Sequence, residues 1–407
     1  MKVTIIGAGI AGLTCAKYLQ DFGISSIILE ASDGIGGRVR TDDYQGFKLD
    51  RGFQILLESY PEAQRLLNYE TLDLQSFRSG ALIRQGNSFA TMTDPFKEPS
   101  TLFKTLFSGI GNMADKLRVF KQTMALEDAD NQTFFEESTK TTLQFLKDYG
   151  YSDRMIQQFF KPFFGGVFLE NDLETASSFF KFTFKQFFTG NAMIPAKGMQ
   201  EIPNQIAAKL PQIAIQLNAK VMQIDGHEIR LENGQIIDSD YIVLATDAKA
   251  SANLLGTKFE QKFNKTTCTY FSADVSPDTS KMLMLNPNRL ASVHHVAIMS
   301  DISAQYSPQN QALVSVSTTG LELVNEENLT QKIKQELTEW FGSTVQNWQR
   351  LKTYHLPEAL PSFTKNKIFK PKISENIFQC GDHTAYPSLN AAMQTGRQVA
   401  EAICQIK

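Results

Sequence analysis

The hydrophobic pattern begins at once. Residues 2–6, Lys-Val-Thr-Ile-Ile, form a short, nearly continuous apolar run, which predicts a buried strand. Gly7 to Gly12 follow, and Leu13 to Phe22 then carry helical spacing through Leu13, Ala16 and Leu19. Gly23 stands where a glycine ends a helix, and Ser26-Ile27-Ile28-Leu29-Glu30 predicts a second strand. The opening is therefore a compact βαβ unit.

Further along, the period changes several times. Residues 33–54 are rich in Gly, Arg and Asp and predict a functional loop with a short hairpin. From about Pro95 to Tyr151 the pattern is amphipathic and helical, with a polar break from Asp128 to Glu136. Residues 159–188 are dense in phenylalanine. A strand-rich stretch begins near Ile213, with strands over Ala219–Ile224, Glu228–Leu231, Gln235–Ile237 and Tyr241–Ala245, turned at Asp225-Gly226 and Asn233-Gly234. Residues 266–320 again read as strands, and Glu326–Phe341 as an amphipathic helix. The C-terminal stretch returns to the pattern of the N-terminus, with a strand over Ile377–Cys380, a glycine, and then a helix from Asn390 to Ile406. The two ends thus read as parts of one nucleotide-type α/β domain into which the middle is inserted.

Composition narrows the classes. The chain has 407 residues, and at roughly 150 residues per domain this suggests two or three units. A net charge of -3 argues against a nucleic-acid partner. The four cysteines, Cys15, Cys268, Cys380 and Cys404, form no CxxC pair and fit a reducing compartment. There is no apolar run long enough for a spanning helix, and the expected location is cytoplasmic. His294 and His295 are adjacent, so on a strand they point to opposite faces, and no metal site is expected.

The chemistry concentrates in two glycine motifs. Gly7-Ala8-Gly9-Ile10-Ala11-Gly12 is a G-x-G-x-x-G pattern between a strand and a helix. Its first glycine permits the tight turn, its second lets a pyrophosphate approach the backbone, and its third allows close helix–strand packing. The helix then offers free N–H groups and its positive end to the phosphates. Glu30, ending the next strand, is placed to accept hydrogen bonds from both ribose hydroxyls of an adenosine. The second motif is Gly34-Ile35-Gly36-Gly37-Arg38-Val39-Arg40-Thr41, where Arg38 offers a planar donor fork to a phosphate.

Further motifs extend along the chain: Leu49-Asp50-Arg51-Gly52-Phe53-Gln54, Pro195-Ala196-Lys197-Gly198-Met199, Ala219-Lys220-Val221, Leu244-Ala245-Thr246, and Cys380-Gly381-Asp382-His383 ahead of Ser388 to Arg397. With these motifs in this order, the chain resembles the FAD-dependent superfamily of amine oxidases, protoporphyrinogen oxidases and phytoene-type desaturases. The resemblance implies a Rossmann-type, doubly wound FAD-binding domain from residues 1–80, 190–250 and 370–407. It implies an inserted α+β substrate domain from 81–189 and 251–369. It also implies roles. Glu30 would hold the adenosine ribose. Arg38 and the backbone from Gly9 through Ile10 and Ala11 to Gly12 would hold the pyrophosphate. Val221 would meet the adenine, and Asp382 the ribitol or pyrophosphate. Gly52, Phe53 and Gln54 would lie near the isoalloxazine, and the last helix near Leu389 and Asn390 would face its pyrimidine edge. Gly7, Ala31, Gly37 and Gly381 complete the implied cofactor set.

The reaction expected from this resemblance is dehydrogenation of a bulky hydrophobic substrate by hydride transfer to FAD. Flavin amine oxidation and a non-redox flavin-dependent isomerisation are the alternatives. The amine-oxidase branch places an aromatic residue where this chain has Ser388, and a lysine whose nearest counterpart, Lys265, sits in a poorly matching context. Tyr354, Phe163 and Phe164 are the substrate-facing candidates. No catalytic base and no electron acceptor is assigned. The phenylalanines of 159–188 read in three ways: core of a helical layer, wall of an apolar pocket, or, with Lys161, Lys181 and Lys185 between them, a peripheral membrane contact.

Overall fold

In the computed structural model, residues 1–93, 97, 108–137, 139–211, 214–322 and 325–406 are described. Pro95 and Ile213, where two of the expected stretches begin, lie outside them. The first strand, Val3–Ile6, is wholly buried because it is flanked on both sides in a five-stranded parallel sheet. Across that sheet the strands run Ile215–Gln216, Ser26–Leu29, Val3–Ile6, Tyr241–Leu244 and Ile377–Gln379. A sheet covered on both faces favours such unbroken Val/Ile/Leu runs over alternation. The first helix, Ile10–Asp21, packs along the last, Leu389–Cys404. A Cβ at Gly396 would run into the Ala11 carbonyl, so this helix pair approaches backbone to backbone. Ser388 caps the last helix by accepting the Ala391 N–H at 3.0 Å.

A seven-stranded mixed sheet forms the second layer. Its order is Gln349–Pro361, Phe263–Ala273, Ala312–Thr319, His295–Ile298, Leu283–Leu285, Ala81–Gln85 and Ser88–Met92. Three of these strands, the two of the Ala81–Met92 hairpin and the long strand Gln349–Pro361, were not read as strands from the sequence. Helix Glu326–Phe341 forms with the expected bounds, capped by Asn325. A three-stranded antiparallel meander spans Val221–Asp225, Glu228–Leu231 and Ile236–Asp238.

The phenylalanine-rich stretch folds as helices Lys161–Phe168 and Ser177–Thr189, the first preceded by a π-helical turn over Ile156–Phe160. Phe160, Phe164, Phe168, Phe179, Phe180, Phe182 and Phe184 are all buried. Their rings meet edge to face and offset, as between Phe164 and Phe180 at 4.7 Å and 63°. Among the described residues, no helix is long and apolar enough to cross a membrane.

Candidate functional site

The three glycines of the first motif meet different surroundings. A Cβ on Gly7 would lie 2.7 Å from the Ala245 carbonyl, and one on Gly12 would strike the carbonyl of Gly7. Both glycines are therefore demanded by packing. Gly9 differs: a Cβ there would meet nothing within 4 Å. The space over Gly9 is open, and no side chain caps the helix that starts at Ile10. Its first amides are free to meet an anion.

The second motif lies directly against the first. The Gly36 N–H donates to the Ala8 carbonyl at 2.8 Å, and Gly36 and Gly37 take φ of 106° and 61°, open only to glycine without strain. Glu30 accepts the Ala8 N–H at 2.7 Å and the Ser32 N–H at 2.8 Å, one on each oxygen. A carboxylate carries about four acceptor positions, so two amides fix Glu30 and leave capacity for hydroxyls. Ala31 is exposed beside it. The Ala219 N–H donates to the Glu30 carbonyl at 2.8 Å, which brings the meander and Val221 to the same strand end.

Arg38, from the second motif, reaches the final segment. Its guanidinium pairs with Asp382 at 2.5 Å and donates to the Ala359 carbonyl at 3.2 Å. The two residues assigned separately to the phosphate side thus meet each other. Arg38 is the more exposed partner and Asp382 is buried. Gly381 precedes Asp382 and donates its N–H to Thr395 Oγ1 at 3.0 Å. Gln54 Nε2 donates to the Arg38 carbonyl at 2.8 Å, which ties the Gly52-Phe53-Gln54 loop to the same hub. Phe53 is half-buried, edge-on to Phe77.

Other candidate residues are held by contacts within the protein. The Asn390 side chain turns inward. It is buried, accepting the Glu62 N–H at 2.9 Å and donating to Tyr386 Oη at 2.8 Å, so only its backbone is available at the helix start. Tyr354 turns its hydroxyl to Asp42 Oδ2 at 2.8 Å. Burial alone would raise Asp42, but donors from Lys352, Tyr354 and Arg51 outweigh it and hold the carboxyl at about 2. Phe164 is enclosed by Phe160, Phe163, Phe168, Phe180 and Phe184 and belongs to the core. Phe163 stays half-buried, against Phe159 and Phe187. The phenylalanines of this stretch do not form an exposed patch, and Lys161 and Lys181 pair with Asp172 and Glu137. His294 and His295 do part, as expected: His294 Nδ1 accepts the Thr319 N–H, while His295 Nε2 meets the Pro162 carbonyl.

Sequence reasoning missed three anchors. Asp42 and Asp50 sit on the hairpin Thr41–Tyr44 and Phe47–Asp50 without an assigned role. Glu62 forms a two-pronged pair with Arg397, at 2.9 and 2.7 Å, that fixes the last helix. Arg397 stands within the quoted C-terminal motif, so its charge there was the available signal.

The profile of the family described as flavin containing amine oxidoreductase matches residues 10–404. The chain therefore belongs to this family of FAD-dependent oxidoreductases. It is 22% identical to the 15-cis-phytoene desaturase of Glycine max over an alignment that covers all of this chain and 80% of that protein. A shorter match, 43% identical over 67 residues, covers 16% of this chain and only 12% of the Arabidopsis thaliana phytoene desaturase. Among solved structures, an oxidoreductase from Methanosarcina mazei superposes with a TM-score of 0.76 at 17% identity, covering 98% of this chain and 100% of that one. Putrescine oxidase bound to putrescine superposes with a TM-score of 0.72 at 14% identity, over 99% of each chain. At these identities the structural likeness speaks for the fold.

Proposed function

We propose that the chain binds FAD along this trough in a Rossmann-type arrangement and dehydrogenates a bulky hydrophobic substrate. The carrying observation is the open space above Gly9, set between uncapped helix amides and the anchored Glu30. These residues suit a dinucleotide: amides for a diphosphate, a fixed carboxylate for ribose hydroxyls, and the Arg38 fork at the rim. The segments 1–80, 190–250 and 370–407 then form the cofactor unit, and 81–189 with 251–369 the substrate unit.

Bound flavin supplies the two-electron acceptor. The protein's part is orientation and electrostatics. The last helix, capped by Ser388, would present its positive end to the negative charge of a reduced flavin. The Gly52–Gln54 loop, held to Arg38, would bound one side of the ring site. The half-buried rings of Phe53 and Phe163 support an apolar substrate, as does the full-length similarity to a desaturase. Hydride transfer can proceed on alignment, so no base is required of the chain.

The test is anaerobic. The purified chain should be yellow, and its flavin should bleach stoichiometrically with a porphyrinogen or a polyene but not with primary amines. Bleaching by amines alone would reverse the choice of substrate. Turnover with no change in product oxidation level would indicate isomerisation.

A further inference from the structure

Asp50 is a fully buried carboxylate on which four segments converge. Thr41 Oγ1 donates to Oδ1 at 2.5 Å, and the Met199 N–H donates to the same oxygen at 3.0 Å. Tyr306 Oη donates to Oδ2 at 2.8 Å. Tyr270 Oη donates to the Asp50 carbonyl at 3.0 Å. Thr41 Oγ1 also accepts the Gln200 N–H, so its own proton must go to Asp50. The donors thus come from the hairpin, the Gly198-Met199 loop, the large sheet and the turn at Ala304–Tyr306. Among the described residues the carboxylate receives hydrogen bonds but no cation contact: Lys197, on the neighbouring loop, is exposed, and Arg51 turns to Asp42.

We propose that Asp50 is a positioning residue for the cofactor. Its hydrogen-bonded carboxylate would lock Arg51-Gly52-Phe53-Gln54 against the ring system and place one uncompensated negative charge behind it. This rests on the FAD reading above. Three neutral donors offset part of the desolvation of a buried charge, but among the described residues no cation in contact with it cancels its field. A negative charge there opposes reduction of the flavin, because the reduced ring is itself anionic. Burial raises the Asp50 carboxyl to about 6, against the pull of Thr41, the Met199 amide and Tyr306. The titratable groups facing it are Tyr270 and Tyr306, with Cys268 behind Tyr270. Burial pushes all three up, so they stay neutral while Asp50 changes charge.

The experiment uses the full chain loaded with FAD and a reductive titration between pH 5 and 8. Asp50→Asn keeps the size and one acceptor, and the Tyr306 hydroxyl can turn to accept from the new amide. The variant should favour reduction at pH 8 by at least tenfold, about 30 mV for two electrons. It should also lose the wild-type inflection near the Asp50 titration. Tyr306→Phe removes one donor to the carboxylate and should move that inflection to higher pH, which serves as the second test if Asp50→Asn does not fold. An FAD-loaded wild type with no such inflection, or variants with unchanged potential and pH profile, would overturn the role of Asp50 while leaving FAD binding intact. A chain that takes up no FAD would overturn the cofactor reading, and this proposal with it.

Discussion

The trough and the phenylalanine layer are both tightly packed, but they reach that state by opposite means. At the trough, side chains are absent: Gly7, Gly12 and Gly396 let backbone touch backbone. In the helical layer, side chains fill the space, with seven buried phenylalanines between residues 160 and 184. Backbone contacts cannot give way, whereas a ring cluster can partly relax around a lost ring. The first region should therefore fail abruptly on substitution and the second by degrees. Gly9 is the exception inside the first region, since its open side faces the trough and not the protein.

The largest effect follows from that exception. Gly12→Val would force a side chain into the Gly7 carbonyl, and no folded protein should be recovered. Gly9→Ala has room and an ordinary extended backbone with φ of -73°, so the fold should survive with its melting temperature nearly unchanged. FAD retention in that variant should fall at least tenfold, because the new methyl occupies the diphosphate's approach. Gel filtration and flavin content of the two variants check both halves. A folded Gly12→Val, or a Gly9→Ala chain that keeps its FAD, breaks the distinction.

The phenylalanine layer should lose stability in proportion to enclosure. Phe164→Ala should cost about 3–5 kcal/mol and Phe163→Ala about 1–2 kcal/mol by urea unfolding, since Phe164 is enclosed and Phe163 half-buried. If Phe163 lines the substrate path, its variant should also alter KM, whereas Phe164→Ala should not once corrected for folded fraction. Equal costs at the two positions would erase the boundary between core and rim.

The same contrast explains what the sequence disclosed. The glycine motif was legible because part of its demand is written within a few residues: Gly7 takes a φ of 107° and a Cβ at Gly12 would strike the Gly7 carbonyl, although Gly7 also packs on the distant Ala245 carbonyl. Helix Glu326–Phe341 was legible from its period alone. The phenylalanines were ambiguous only as a composition. Phe160, Phe164 and Phe168 recur on one helical face, which is the signature of core. Strand Gln349–Pro361 escaped because it contains Pro357, ends at Pro361 and shows no clean alternation. Its pairing with Phe263–Ala273 is settled far away in sequence. Asp50 escaped for the same reason: its side-chain donors Thr41 and Tyr306 are brought to it only by the fold, and nothing local marks a buried carboxylate.

The hairpin itself supplies the finest comparison, because its two acids are treated oppositely. Asp50 lies among neutral donors and is raised, whereas Asp42 lies among Arg51, Lys352 and Tyr354 and is lowered to about 2. A lowered carboxyl stabilises the fold above its unfolded value near 3.8, and that contribution is lost as pH falls through about 2. Tyr354→Phe removes one donor of the three, so Asp42 should move back up toward 3.8. The cost at pH 7 should be about 1 kcal/mol, a modest figure because Lys352 and Arg51 remain and are themselves partly solvated. That cost should shrink as pH drops from about 4 toward 2, where wild type and variant alike lose the charge on Asp42. Urea unfolding across that range measures it. A difference that does not vary with pH, joined to a change in flavin reduction rate, would detach Tyr354 from Asp42 and return it to the face of the ring.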